Sequence, residues 1–106
     1  MQNLRYVGKN LFIEKLSINN IVKKNKTPFY LYSENQIINN YLKFTKSFKK
    51  TNPLVCFAAK SNSNVAILKI LGKLGAGADV VSDGELLKAL KAGIKASKIV
   101  FSGVGK

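Results

Sequence analysis

Apolar residues follow two rhythms along this chain. Over residues 27–33, "TPFYLYS", aromatic and aliphatic side chains alternate after a proline, which predicts a strand. The period then lengthens: Ile37, Ile38, Tyr41, Leu42, Thr45 and Phe48 recur at helical spacing, behind a capping box formed by Ser33 and Gln36. "TNP" at 51–53 ends that helix, because proline disfavours a helical residue before it. The alternation continues with a strand at 54–60, a helix at about 64–74, a strand at 78–81, a helix at about 83–92 and a strand at 98–102. The first of these helices buries Val65, Ile67, Leu68, Leu71 and Leu74, and the second Leu86, Leu87, Ala89 and Leu90. Gly75 stops the first by turning left-handed, and Gly93 stops the second. Residues 11–26 read as a short strand and a short helix capped by Ser17.

Strands alternating with amphipathic helices predict an α/β fold of parallel β-α units. The strand ends Lys60, Asp79 and Ser102 fall 19 and 23 residues apart, a spacing that fits successive units. Ligands of such folds sit beyond the carboxyl ends of the strands. Lys60, Asp79, Ser82 and Ser102 therefore gather on one rim. With side chains alternating along 54–60, Leu54, Cys56 and Ala58 share the face of Lys60, while Val55, Phe57 and Ala59 face the helices. The small Ala58 leaves room beside the lysine for a flat ligand.

Composition narrows the classes. A chain of 106 residues suits one small globular unit or a piece of a larger one. No apolar run approaches the roughly 18 residues of a membrane span, and the N-terminus lacks the apolar core of a signal peptide. The single cysteine, Cys56, gives no internal disulfide framework, and with no histidine and no CxxC there is no recognisable metal site. Together these point to a soluble cytoplasmic protein. The net charge of +13 invites a nucleic-acid reading. Yet the lysines are spread along the chain, and Arg5 is the lone arginine, so solvated helix faces account for most of the charge. A basic nucleic-acid-binding fragment stays open as the rival class.

Candidate chemistry centres on "LVCFAAKSNSN", residues 54–64, an apolar run that closes on Lys60. Such a lysine is either a strand-end anchor in solvent or an amine held for reaction. A pocketed lysine loses its proton more readily, and the neutral amine forms Schiff bases with carbonyls. Asp79, one unit later, supplies an acid to manage protons. Other features have plainer readings. Cys56 packs in the core, and Ser102 caps a turn or joins the site. "GVGK" lacks the spacing of a phosphate loop, and "GAGAD" has no GxGxxG pattern.

"FAAKSNSN" followed by "ILKILGKLG" resembles the pyridoxal-phosphate attachment site of the decarboxylases acting on ornithine, arginine and diaminopimelate. That pattern is an aromatic, a small residue, any residue, lysine, a small residue and Asn, then a helix. Phe57, Ala58, Lys60, Ser61 and Asn62 match it in order. "GAGADVVSDGELLKALKAGI" and "IVFSGVGK" resemble the next segments of the diaminopimelate branch, and "TPFYLYS" is similar to the entry of the family's barrel. The likeness covers roughly residues 11–106. It departs at Asp83, where that branch usually has a second glycine; at a helix N-terminus the charge is favourable. Glu85 matches an acidic position of the family's site, and Ser82 with Glu85 also reads as a capping box.

The resemblance implies an alanine-racemase-like (β/α)8 barrel with a separate β-domain. Residues 1–26 would pack with the β-domain. Residues 27–106 would form a partial barrel truncated at its C-terminus, since a whole one takes about 250 residues. It further implies pyridoxal 5'-phosphate held by Lys60 as a Schiff base, with Ala58 and Asp79 beside it. Asp79 would position Lys60 or shuttle protons. The reaction implied is decarboxylation of meso-diaminopimelate to L-lysine by a homodimer that needs no metal, nucleic acid or membrane. Another basic amino acid decarboxylase of the same fold is the nearer alternative. The 106 residues alone are expected neither to decarboxylate nor to bind the cofactor tightly.

Overall fold

Three short antiparallel strands open the structure, a computed structural model that describes residues 3–104. They are β1 (Leu4–Val7), β2 (Asn10–Ile13) and β3 (Leu16–Ser17). Two-residue turns join them: Val7 pairs with Asn10 across Gly8-Lys9, and Ile13 with Leu16 across Glu14-Lys15. Each turn starts with a positive φ, 62° at Gly8 and 53° at Glu14. Glycine adopts this freely, whereas a side chain there costs about 1–2 kcal/mol. Polar bonds hold Glu14 in place. Its N–H donates to the Asn3 carbonyl (2.7 Å), and its own carbonyl accepts from the Arg5 guanidinium. Its carboxylate accepts from the Ser33 hydroxyl (2.8 Å) and the Asn35 N–H (2.9 Å). The expected single strand before residue 18 is thus a meander, with β1 unforeseen. Helix α1 (Ile18–Lys24) follows directly. Ser17 stands at its N-cap without a side-chain capping bond, because its backbone is already placed by the ladder opposite Phe12.

Residues 27–33 do not form the expected strand. Among the described residues they pair with no other strand, and an alternating pattern makes a strand only when a partner takes up its N–H and C=O groups. Helix α2 (Glu34–Lys46) begins as predicted, with the Ser33 hydroxyl accepting from the Gln36 N–H (3.1 Å). Gln36 does not close the capping box. Its amide donates to Asn40 and its carbonyl accepts from Asn3. Ile37, Ile38, Tyr41 and Thr45 are half-buried along the helix, which packs beside the next one.

The β-α alternation is then realised as β4 (Cys56–Ala58), α3 (Val65–Lys73), β5 (Gly77–Val80), α4 (Asp83–Lys91) and β6 (Ile99–Phe101). The three strands make a parallel sheet in the order β4-β5-β6. Both helices end alike. Gly75 and Gly93 turn left-handed (φ 99° and 91°). The next residues, Ala76 and Ile94, donate back to the carbonyls of Leu71 and Ala89 (both 3.1 Å). This is the Schellman closure, which satisfies the last helical carbonyls and buries the residue after the glycine.

The core lies between the sheet and these two helices: Ala59, Leu68, Ala78, Val80, Ala89, Ala92 and Ile94, flanked by Phe57, Val65, Leu86, Ile99 and Phe101. Leu87 and Leu90, expected inside, are 65% and 42% exposed. Leu86 and Ala89 define the face of α4 that meets the sheet. At 100° per residue Leu87 falls nearly opposite that face, and Leu90 falls on its flank. Among the described residues no helix covers the other side of the sheet, and Val100 there is 50% exposed. The Cα radius of gyration is accordingly 16.3 Å, against about 13 Å for a compact chain of this length.

Two outcomes follow from this architecture. A Cβ on Gly77 would lie 2.2 Å from the Lys98 carbonyl oxygen and 2.9 Å from the Cys56 sulfur. Gly77→Ala should therefore cost about 1–3 kcal/mol by urea unfolding of the full-length protein. Gly84→Ala, whose Cβ meets nothing closer than 3.9 Å, should be nearly neutral. The second concerns Glu14, whose carboxyl is held below its usual range by the Asn35 N–H and then the Ser33 hydroxyl. A group depressed in the folded state stabilises fully above its ordinary pKa and loses that effect as pH falls through the folded value. Protection of the Asn35 amide from hydrogen exchange should fall with acid across that window, and Glu14→Gln should flatten the dependence.

Candidate active site

Strand β4 stops at Ala58, two residues short of Lys60. Ala59–Ser61 instead form one 3-10 turn, so strand alternation does not aim the lysine. The turn has two causes. Ala59 is fully buried and anchors the backbone in the core, and the Ser61 hydroxyl folds back to donate to the Ala58 carbonyl (2.8 Å). The polar residues that follow continue the construction. The Asn62 side chain accepts from the Asn64 N–H (3.1 Å), and the Asn64 side chain caps α3 through the Ala66 N–H (2.9 Å). Lys88 donates to the Ser63 hydroxyl (3.1 Å), tying the loop to α4. Lys60 stands exposed at the rim between the buried Ala59 and this hydrogen-bonded turn. The Asx turn at Asn62 and the cap at Asn64, neither of them among the expected features, are signalled in the sequence by the alternation of Ser and Asn before an apolar helix.

On the sheet face away from the helices, Ala58 pairs with Asp79, and Asp79 with Val100. Neighbouring strands lie about 4.8 Å apart, so the Asp79 carboxylate sits beside the methyl of Ala58. The Ser102 hydroxyl donates to Asp79 Oδ1 (2.6 Å). Lys60, Ala58, Asp79 and Ser102 are thus brought to one strand-end region, as the spacing predicts. Cys56 lies one pleat below Ala58. Burial pushes its thiol up, and the Asp79 carboxylate adds to this, which keeps the sulfur neutral and fits packing rather than nucleophilic work. The Tyr41 phenol, reaching over from α2, is raised by burial and by Cys56.

Ser82 and Glu85 have structural partners. The Ser82 hydroxyl accepts from the Glu85 N–H (3.2 Å). The Glu85 carboxylate accepts from the Val81 N–H (3.1 Å) rather than closing the box on Ser82. Beside the strand end an open groove of about 570 Å³ runs between α2 and the β4-α3 unit, with Tyr41, Phe44, Ala58, Ser61 and Asn62 among its walls. A larger hollow of about 760 Å³ lies between the N-terminal meander and residues 29–33, away from all four rim residues. Among the described residues no cluster of three His, Cys, Asp or Glu side chains could hold a metal, and no helix is long and apolar enough to cross a membrane. Gly105 and Lys106 of "GVGK" lie outside the described residues.

Residues 34–106 match the family described as pyridoxal-dependent decarboxylase, pyridoxal binding domain. A diaminopimelate decarboxylase of Helicobacter pylori is 57% identical over 81 residues, which is 76% of this chain and 20% of that protein. A crystal structure of an Aquifex aeolicus protein superposes with a TM-score of 0.90 at 45% identity, covering 98% of this chain and 26% of that one. A diaminopimelate decarboxylase of M. jannaschii, solved with L-lysine, superposes at 0.88 with 38% identity over 97% of this chain and 26% of that one. The chain therefore spans a fifth to a quarter of the length of the relatives it matches. Within that span its α/β fold is the one expected, the opening β-α units of an alanine-racemase-like barrel.

Proposed function

The chain belongs to the pyridoxal-dependent decarboxylases, and from that premise we propose that it serves the decarboxylation of meso-diaminopimelate to L-lysine, with pyridoxal 5'-phosphate attached to Lys60. One observation carries the reading: a lysine on an anchored turn directly after a strand whose last residue, Ala58, pairs with an aspartate. The residues present fit the cofactor. Lys60 offers an exposed amine for its carbonyl carbon. Ala58 adds no bulk where a flat ring must lie. Asp79 supplies a carboxylate on the same face of the sheet as Ala58.

When bound, pyridoxal phosphate supplies a conjugated ring that accepts the electron pair left behind by CO2. The chain's own part is to hold and to move protons. The Lys60 ammonium must shed a proton before its Nζ can attack a carbonyl, and the Asp79 carboxylate is the acceptor at that strand end. Once protonated, Asp79 can return the proton to the Lys60 nitrogen. Ala59, locked in the core, keeps the turn from drifting while this happens.

The substrate assignment draws on the relatives that carry the name diaminopimelate decarboxylase. Residues 1–26 are assigned to packing with a β-domain and 27–106 to the barrel of a homodimer.

The test is borohydride reduction of the full-length holoenzyme with peptide mapping. The label should fall on Lys60; label on another lysine, with Lys60 free, overturns the assignment. Lys60→Ala should abolish turnover, and Lys91→Ala on α4 should leave it unchanged. Asp79→Asn should lower turnover about 100-fold with little change in melting temperature; unchanged turnover removes its role. Against diaminopimelate, ornithine, arginine and lysine, a preference for any but the first would move the enzyme to a sister activity.

A further inference from the structure

Asp79 can serve Lys60 only if its carboxylate points one way, and its own strand does not fix that. Strand β5 sets the Asp79 backbone through the ladders on both sides, yet the side chain keeps a free rotor. The neighbouring strand supplies the missing constraint. The Ser102 N–H donates to the Val80 carbonyl (2.9 Å), which extends the β5–β6 ladder one step past Phe101. Gly103 is pressed so closely to the chain at Val81 that a Cβ there would stand 2.3 Å from the Val81 oxygen. Residues 102 and 103 are thus pinned by backbone against residues 80 and 81. From that mount the Ser102 hydroxyl donates to Asp79 Oδ1 at 2.6 Å, the short range of a hydroxyl bonding to a carboxylate.

We propose that Ser102 is a positioning residue for the reaction. It fixes the rotamer of Asp79 by engaging Oδ1 and leaves Oδ2 as the oxygen that exchanges protons at Lys60. The inference rests on the assignment of Lys60 and Asp79 to the cofactor site. It accounts for a hydroxyl at a position where turn formation alone would accept almost any residue. An exposed serine that merely caps the strand end would satisfy a backbone group, whereas this one bonds to a side chain 23 residues away.

The experiment uses the full-length holoenzyme with Ser102→Ala, Ser102→Thr, Asp79→Asn and the Ser102→Ala/Asp79→Asn double variant. Ser102→Ala should lower kcat about tenfold with KM nearly unchanged, as expected for a misaimed group. It should move the pH midpoint of the bound cofactor's visible absorbance by about half a unit or more, and Ser102→Thr should restore both. In the Asp79→Asn background Ser102→Ala should add less than about twofold, since the two act as one unit. A wild-type absorbance midpoint in Ser102→Ala, or effects that multiply in the double variant, overturns the proposal. If the wild-type protein carries no cofactor on Lys60, the function assignment fails by itself. Crystal structures of wild type and Ser102→Ala then decide the positioning claim: a rotated Asp79 carboxylate supports it, and an unmoved one overturns it.

Discussion

Strand β5 is gripped on both sides by backbone, and the rest of the site depends on that grip. At Gly77 the neighbouring chains come so close that no side chain fits between Cys56 and Lys98. The parallel register that results sets Ala58 on one flank of Asp79 and Val100 on the other. A slip of one residue would turn Asp79 toward the helices, into a core built of alanine, valine, leucine and isoleucine. Tight packing of small residues thus fixes which face of the sheet carries the chemistry.

The helices hold the sheet through equally local devices. Asn64 and Ser82 cap their starts, and paired Schellman closures end them. Each closure drops a buried residue, Ala76 or Ile94, under the helix it ends. The helix end and the entry to the following strand are therefore one folding event. The N-terminal meander is tied on differently, by polar bonds from Glu14 to Ser33 and Asn35 and from Asn3 to Gln36.

Much of this was legible in the sequence because the governing interactions are short-range. Helical spacing located α2, α3 and α4, and Gly75 and Gly93 announced where two of them stop. What stayed hidden depends on distant partners. Residues 27–33 alternate correctly yet pair with nothing described, and no local pattern says whether a partner is present. Leu87 and Leu90 looked as apolar as Leu86, but the sheet's position relative to α4 decided which of them it covers. Glu14 lies in a turn, and its role comes from residues 19 and 21 positions on. For the site, spacing brought Lys60, Asp79 and Ser102 to one rim. The bond between Asp79 and Ser102 required the strand register, and the turn at Lys60 required knowing that Ala59 would be drawn inside.

That turn has a mechanical consequence. A lysine in mid-strand would leave from one face of the sheet, with its direction set by the pleat. Lys60 is mounted instead like a short arm on a fixed bracket, with Ala59 bolted below and Asn62 to Asn64 braced above. In the proposed reaction Lys60 would be the residue that holds the cofactor, and its amine would have to change position. The long side chain can do so by rotating about its own bonds while the turn beneath it stays fixed.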